Sequence, residues 1–460
     1  MNQPLVTVYI TNYNYGKYIK QAIESVLNQS CQDFELIIID DGSTDNSKEI
    51  IESYAHIDKV QIVYQQNKGL NITNNVALKL ANGQFIVRLD ADDYFEKDAL
   101  KSMSDALLKD TELGLVFPDY YLVDEDGNVL HEEKRHSFEE DVTLLDMPAH
   151  GACTMIRKSF LQTLGGYDEE FKCQDGYDLW VRFTAKYKVN NVSQILFSYR
   201  RHGDNLTTNE DKILNTRMAI KEKFIFNNFD NKPDTIVVIP VRGSKLNAKD
   251  VAFLKLGGDY VLDLKIKTAL ATKSTLSVII SSPDKEIEDH IYQKYANNSK
   301  VIFHKRNEKL ARLNTDLVKT VNNIIDSSLT TNLEYQNIAI LSIENPFTES
   351  KTIDDAINTM KLFKTDSLIS VREESNMFFH HDGSGMKPIL GQEKQTKLER
   401  DLLYRYAGGI IAVKKESFQK EQKLICGKVG HIVVHQRMAL QLKSKLDFEI
   451  AELMSLSHKK

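Results

Sequence analysis

Short apolar runs rich in Val and Ile alternate with helical patterns through most of this chain, and that alternation restricts it to an α/β fold. VTVYI (6–10) reads as a strand. Residues 17–29 read as a helix, because Ile19, Ala22, Ile23, Val26 and Leu27 recur at helical spacing. ELIIID (35–40) is a second strand followed by a helix in SKEIIESYA. VQIVYQ (60–65) is a third strand, NNVALKLA a third helix and QFIVRLD (84–90) a fourth strand. LGLVFPDYYLVD and DGNVL (113–130) form a hairpin pattern turning at Asp126 and Gly127.

Near residue 226 the texture changes. NNFDNKPD is polar and turn-rich, so residues 227–235 are expected to link two domains, 1–226 and 236–460. A chain of 460 residues has room for two or three domains. TIVVIPVRGSK is a strand running into a Gly/Ser loop, as at the start of a second α/β unit; SVIISS, IAILSI and DSLISV supply further strands. The two halves carry different motifs and no short-period repeat, which argues against a duplication.

The net charge of −6 offers no basic footprint for nucleic acid. No run of about 18 apolar residues exists, so no membrane span is expected. The start, MNQPLVTVYITNYN, lacks the charged and apolar regions of a signal peptide. Cys31, Cys153, Cys173 and Cys426 lie far apart without metal-ligand spacing, which predicts free thiols in a reducing compartment. A cytoplasmic protein is expected, with any membrane contact peripheral and at the inner face.

Three stretches carry the chemistry. IVRLDADD (86–93) is an apolar strand ending in Asp90, Asp92 and Asp93. Crowded carboxylates repel one another unless a cation neutralises them. Mg²⁺ and Mn²⁺ take oxygen ligands, often one or two carboxylates completed by phosphates and waters. The stretch therefore reads as a nucleotide-diphosphate metal site, or else as a solvated acidic turn. IIIDDGSTDNS (37–47) delivers Asp40 and Asp41 to a Gly-Ser turn. Ligands of open α/β sheets bind beyond the strands' carboxyl ends, where a carboxylate accepts from a base N–H or a ribose hydroxyl. The same stretch also reads as a turn with Asp45 or Asn46 as a helix N-cap. In FKCQDGYDLWVRF (171–183), Leu179 and the chain's only Trp, Trp180, belong to a core stripe, and Asp175 reads as an N-cap or a general base. In SYRRHGDNLT (198–207), His202 is a structural residue or a ligand of metal or phosphate.

In this order, over about residues 5–210, these segments resemble the family 2 glycosyltransferases, inverting enzymes of the GT-A fold. VYITNYNYGKYIKQAIESVLNQ resembles the family's opening strand and helix, and DFELIIIDDGSTDNS its nucleotide-binding segment. NKGLNITNNVALKLANGQFIVRLDADD is similar to the approach to its Asp-x-Asp motif, and QDGYDLWVRF to its catalytic-base segment. The resemblance implies that Thr11, Tyr13 and Asp41 hold base and ribose, with Asn67, Arg88 and Asp90 also on the donor side. It implies Asp92 and His202 as metal contacts for Mg²⁺ or Mn²⁺, and Asp175 as the base, with Asp178 as the alternative. The implied donor is a nucleotide-diphosphate sugar, with a UDP-sugar favoured, and the implied acceptor is a glycan or glycolipid. Two departures stand out: Gln174 replaces a usual Glu, and Asn74 stands where many members carry Arg. Acceptor contacts are expected from HGACTMIRKSF and GGYDEEF, which precede the base.

TIVVIPVRGSKLNAKDVAFLKLGGDYVLDLKIKTALA resembles the opening of CMP-sugar synthetases, which are cytidylyltransferases, and the likeness covers about 236–455. It implies Arg242, Ser244, Lys245 and Lys249 as phosphate contacts, and a homodimer through this half. The family's metal-binding Asp-x-Asp aligns with Gln441 and Lys443, and an amide and an ammonium cannot replace two anionic Mg²⁺ ligands. This half is therefore expected to be catalytically degenerate.

The leading expectation is a metal-dependent inverting glycosyltransferase acting in surface polysaccharide synthesis. The alternatives are a bifunctional enzyme that also makes a CMP-sugar, a non-catalytic sugar-nucleotide-binding scaffold, and a nucleotide-sugar hydrolase.

Overall fold

The computed structural model describes residues 3–134, 151–202, 210–242, 251–311, 315–374, 376–389 and 403–456. The chain divides into two compact units, one ending at Arg217 and the other beginning at Met218.

The first unit runs β1 (Val6–Asn12), α1 (Ile19–Leu27), β2 (Phe34–Asp40), α2 (Ser47–Glu52), β3 (Val60–Tyr64), α3 (Leu70–Leu80), β4 (Phe85–Asp90) and β5 (Tyr94–Phe95). It continues through α4 (Ala99–Lys109), β6 (Leu113–Val123), β7 (Val129–Glu133), β8 (Met155–Arg157), α5 (Lys158–Thr163), α6 (Asp175–Thr184) and β9 (Lys188–Arg200). The helix α7 (Glu210–Asn228) follows. The sheet order is β3-β2-β1-β4-β8-β6-β9-β5, with β7 paired to β6. The first four strands are parallel, in the order expected of βαβ crossovers.

Both faces of this sheet are covered, and the period of two decides which side chain meets which layer. Val8 and Ile10 of β1 and Val87 and Leu89 of β4 pack in one core with Ile19, Ile23 and Val26 of α1. Tyr9 and Ile86 face the other core, where Ala77 of α3 and Leu179, Trp180 and Phe183 of α6 lie. Each Val, Leu, Ile or Phe among them contributes roughly 1.5–3 kcal/mol on full burial. Arg88 has the same parity as Ile86 and stands opposite Tyr9 in the β1–β4 register, while Thr11 stands opposite Asp90.

The second unit runs β10 (Thr235–Pro240), β11 (Lys255–Leu256), β12 (Asp259–Tyr260), α8 (Val261–Leu270), β13 (Thr275–Ser282), α9 (Lys285–Tyr295), β14 (Val301–Lys305) and α10 (Leu317–Ile325). Then come β15 (Asn337–Leu341), α11 (Ser350–Phe363), β16 (Ser367–Glu374), β17 (Phe379–His381), β18 (Met386–Pro388), β19 (Leu403–Lys414), α12 (Lys415–Glu421), β20 (Val429–Val433) and α13 (Lys445–Leu456). Its main sheet is β14-β13-β10-β15-β19-β16-β20. It is mixed, because β19 runs antiparallel to both neighbours. Val237 and Ile239 enter one core and Ile236 and Val238 the other. Lys221 of α7 is buried in a 2.8 Å ion pair with Asp355 of α11.

Several expectations need adjustment. The hairpin of β6 and β7 forms, and Gly127 takes a left-handed φ of 89° in its turn. The expected linker begins inside a helix, because α7 runs to Asn228. The boundary between the two units, at 217/218, falls within α7, ahead of residue 226. Asn46 occupies the N-cap of α2 without a side-chain bond, and Asp45 Oδ1 instead accepts from Ser47 N–H. Asp175 is not an N-cap but the first residue of α6; Gln174 holds the cap position with a left-handed φ of 61°. Ser244, Lys245 and Lys249 lie outside the described residues.

Candidate active site

The carboxyl ends of β1, β2 and β4 lie side by side, and each delivers polar side chains to the same edge. Asp40 shapes the first loop. Its Oδ1 accepts from Ser43 N–H at 2.9 Å and its Oδ2 from Asn12 Nδ2 at 2.8 Å. Asp41 organises the second. Its Oδ1 accepts from Gln65 Nε2 (2.7 Å) and Lys68 N–H (2.9 Å), and its Oδ2 from Gly69 N–H (3.0 Å). Asn67 lies exposed in that loop and Tyr13 is 46% exposed at the end of β1. Thr11 Oγ1 donates to Asp90 Oδ1 at 3.2 Å.

Arg88 is the centre of the buried side of the site. Its guanidinium forms an ion pair with Asp90, with Nε 3.0 Å from Oδ1 and Nη2 donating to Oδ2 at 3.5 Å, and donates to Asp175 through Nη1. It is 5% exposed. Burial pulls its pKa down, but Asp175 and then Asp90 outweigh that and hold it well above the usual value. Its charge is shared between two carboxylates, one of them the expected donor-side acid Asp90. Asp175 Oδ2 also accepts from Asn74 Nδ2 at 3.3 Å. Asn74 in turn accepts from Tyr9 at 3.2 Å, and the Tyr9 hydroxyl lies 3.3 Å from that of Tyr167. Burial, followed by Tyr167, pushes the Tyr9 hydroxyl pKa well up, so it stays protonated.

Asp178 belongs to a different circuit. Arg182 donates to its Oδ2 through Nε (3.0 Å) and Nη2 (2.6 Å), and also to the carbonyls of Leu164 and Gly166. Asp175, by contrast, lines a small cleft of about 20 Å³ with Gly151, Thr154, Tyr167, Leu179 and Trp180. Gly151, Thr154 and Tyr167 come from the two segments expected to meet the acceptor.

At the open end of β4, Asp92 Oδ2 lies 2.9 Å from His202 Nε2. The imidazole stacks on Tyr18, with ring centroids 5.6 Å apart, and meets the Tyr15 ring edge-on. Asp93 is 1% exposed; its Oδ1 accepts from Arg200 N–H at 2.8 Å and its Oδ2 has no hydrogen-bond partner among the described residues. Burial, then Asp92 and Asp90, pushes the Asp93 carboxyl pKa well up; burial, then Asp90, raises that of Asp92. This under-compensated group of acids fits a divalent cation. No group of three or more His, Cys, Asp or Glu among the described residues is placed to hold a metal alone. Two protein ligands completed by phosphate oxygens and water are a normal set for Mg²⁺.

Arg200 was not singled out in the sequence. It is 2% exposed and donates to the backbone carbonyls of Asp92 (2.9 Å) and Glu125 (2.8 Å) and to Gln21 Oε1 (2.7 Å). It clamps the turn that carries Asp92 and Asp93. Nothing in the doublet Arg200-Arg201 marks which arginine turns inward. In the second unit, Arg242 lies beside Arg306, whose pKa is lowered to about 10 by burial and then by Arg242.

The sequence profile of glycosyl transferase family 2 matches residues 7–165. An uncharacterized glycosyltransferase of Methanocaldococcus jannaschii is 33% identical over 215 residues, which are 44% of this chain and 72% of that protein. The chain belongs to glycosyl transferase family 2. The Escherichia coli chondroitin synthase is 30% identical to this glycosyltransferase over 231 residues, 48% of this chain and 34% of the relative. The chain spans only 34% of that synthase and 21% of the chondroitin and hyaluronan synthases of Pasteurella multocida. Among solved structures, S. aureus TarS 1–349 in complex with UDP-GlcNAc aligns at 21% identity over 49% of this chain and 67% of that one, with a TM-score of 0.42. In this family 2 glycosyltransferase the profile match covers Asp41, Arg88, Asp90 and Asp92 and ends ahead of Asp175 and His202. No helix among the described residues is long and apolar enough to cross a membrane.

Proposed function

We propose that the N-terminal half is a GT-A glycosyltransferase that moves a sugar, with inversion, from a nucleotide-diphosphate donor to a hydroxyl of a glycan or glycolipid during polysaccharide synthesis. The observation that carries this is the buried bridge Asp90–Arg88–Asp175, which joins a nucleotide-side acid to an acid lining a separate cleft. One displacement needs those two sides adjacent. Asp175 is the base. Arg88 and Asn74 both occupy its Oδ2, so the carboxylate is oriented while Oδ1 takes the acceptor proton as the hydroxyl attacks. Asp41, Thr11, Tyr13 and Asn67 hold base and ribose; the tying of Asp41 to residues 65–69 supports this, because it shapes a pocket wall from two loops. Asp92 and His202 would hold Mg²⁺ or Mn²⁺, which when bound stabilises the charge on the departing diphosphate. A UDP-sugar is the favoured donor, and the chain works in the cytoplasm, in peripheral contact with the membrane where the acceptor is a glycolipid.

The test uses UDP-GlcNAc, UDP-glucuronic acid and GDP-mannose with Mn²⁺ and a panel of labelled oligosaccharides. Wild-type protein should release nucleoside diphosphate in step with product elongation. Asp175→Asn should abolish transfer while leaving the Mn²⁺-dependent thermal shift by UDP nearly unchanged. Full turnover by Asp175→Asn would reject the base assignment, and free sugar formed without acceptor would indicate a hydrolase.

We also propose that residues 236–460 form a cytidylyltransferase-like domain without cytidylyl transfer, capable of pairing with a second copy. The environment of Gln441 favours this. Its Nε2 donates to the Ala407 carbonyl at 3.2 Å, and a Cβ on Gly408 would lie 2.1 Å from it. The place aligned with a metal acid is thus filled by a packed amide. The full chain given CTP, Mg²⁺ and a nonulosonic acid should release no pyrophosphate; release would restore the bifunctional reading.

A further inference from the structure

Asp175 follows the one residue of its turn whose backbone is strained. Gln174 has φ 61° and ψ 33°, a conformation that side-chain-bearing residues adopt only when their surroundings hold them there. The holding contacts come from a single turn of α7. Arg217 Nε donates to Gln174 Oε1 at 2.8 Å, and Thr216 Oγ1 lies 3.2 Å from Cys173 Sγ. The Arg217 guanidinium also lies 4.9 Å over the ring of Tyr177, which is 1% exposed. Arg217 thus grips the residue before Asp175 and the residue two after it. Meanwhile Arg88 of β4 and Asn74 of α3 hold the carboxylate itself.

We propose that Arg217 is a positioning residue for the glycosyl-transfer reaction: by holding Gln174 in the left-handed conformation, it fixes where Asp175 enters α6. The proposal rests on Asp175 being the base. Arg217 touches neither the donor-side acids nor the cleft-lining residues, so its contribution belongs to kcat rather than to donor affinity. A displacement of about 1 Å at a reacting group costs on the order of a hundredfold in rate. The Gln174 amide also supplies a reason for its place in the chain: it is a neutral acceptor for a guanidinium in a turn already crowded by Asp175 and Asp178.

The test is a double-mutant cycle of Arg217→Met and Gln174→Gly, assayed with whichever of UDP-GlcNAc, UDP-glucuronic acid and GDP-mannose the wild type turns over fastest. Arg217→Met should lower kcat by about ten- to a hundredfold with donor KM within about twofold. Arg217→Lys, which keeps a donor to Gln174, should recover part of the loss. Glycine adopts the left-handed conformation without strain, so in the Gln174→Gly background the same Arg217→Met change should cost less than about threefold. An equal loss in both backgrounds would overturn the proposal, because Arg217 would then act by another route. So would a crystal structure of Arg217→Met in which Gln174 keeps its left-handed φ and Asp175 its position. That structural readout stands apart from the base assignment, which fails only if Asp175→Asn retains turnover.

Discussion

At the scale of single residues, two acids three positions apart in the chain have opposite assignments. Asp178 is paired with Arg182 and serves the packing of α6, whereas Asp175 faces a cleft. Asp178→Asn should therefore destabilise the protein by about 3 kcal/mol, because it leaves a largely buried guanidinium without its carboxylate. Its kcat, measured on folded protein well below the new Tm, should stay within a few-fold of wild type. Asp175→Asn should abolish transfer, and it too should lower Tm, because the buried Arg88 loses one of its two carboxylates. Measuring Tm and kcat on both variants checks the two roles together. The family resemblance favours Asp175 over Asp178 as the base, but the sequence gives no physical reason for that preference. Both sit in one helical turn, and only the positions of Arg88 and Arg182, 87 and 4 residues away, separate them.

At the scale of elements, the donor-side loops depend on glycine at one position. Gly42 has φ 86°, and a Cβ there would lie 2.9 Å from the backbone nitrogen of Asn67. Gly42→Ala should cost on the order of 1–2 kcal/mol from the left-handed conformation alone. It should also push apart the loops joined by Asp41, so UDP binding with Mn²⁺, measured by calorimetry, should weaken by about tenfold or more. The strands and helices of the parallel region were readable from periodicity because each buries a regular stripe. The long strand β9 and the helix α7 were not. β9 alternates imperfectly, with exposed and buried positions mixed through KVNNVSQILFSYR, and α7 lacks a single apolar face, burying only Ile220, Lys221 and Ile225. Nothing in the local pattern therefore marks Arg200 at the end of β9 or Arg217 in α7.

At the scale of the whole molecule, the second unit carries a buried lysine that ties its stability to pH. Lys265 of α8 is 0% exposed, donates to Thr348 Oγ1 at 2.6 Å, and has its pKa pulled down to about 7 by burial. Between about pH 7 and 10.5 the unfolded chain binds the proton that the folded state has released, so stability rises with pH across that window. The contribution is fully present above the ordinary lysine value and lost as pH falls through about 7. Lys265→Met should remove this slope and raise the Tm of the second unit at pH 6–7. Thr348 Oγ1 still donates to the Asn345 carbonyl, so the substitution leaves that hydroxyl bonded. Thermal unfolding from pH 6 to 10 checks it; parallel curves for wild type and variant would show that Lys265 stays charged.

The sequence by itself determined the α/β class, the parallel opening of the first unit, the family, and the stretches from which the site is built. Those properties are written in local periodicity and in motifs that are contiguous in the chain. Only the tertiary structure decided how the acids are shared out. Asp41 ties two loops, Asp90 and Asp175 divide one buried arginine, Asp178 is taken by Arg182, and Asp93 is left with an uncompensated oxygen. A carboxylate's role depends on which charge and which donors reach it, and those partners arrive from strands and helices that the chain order does not place together.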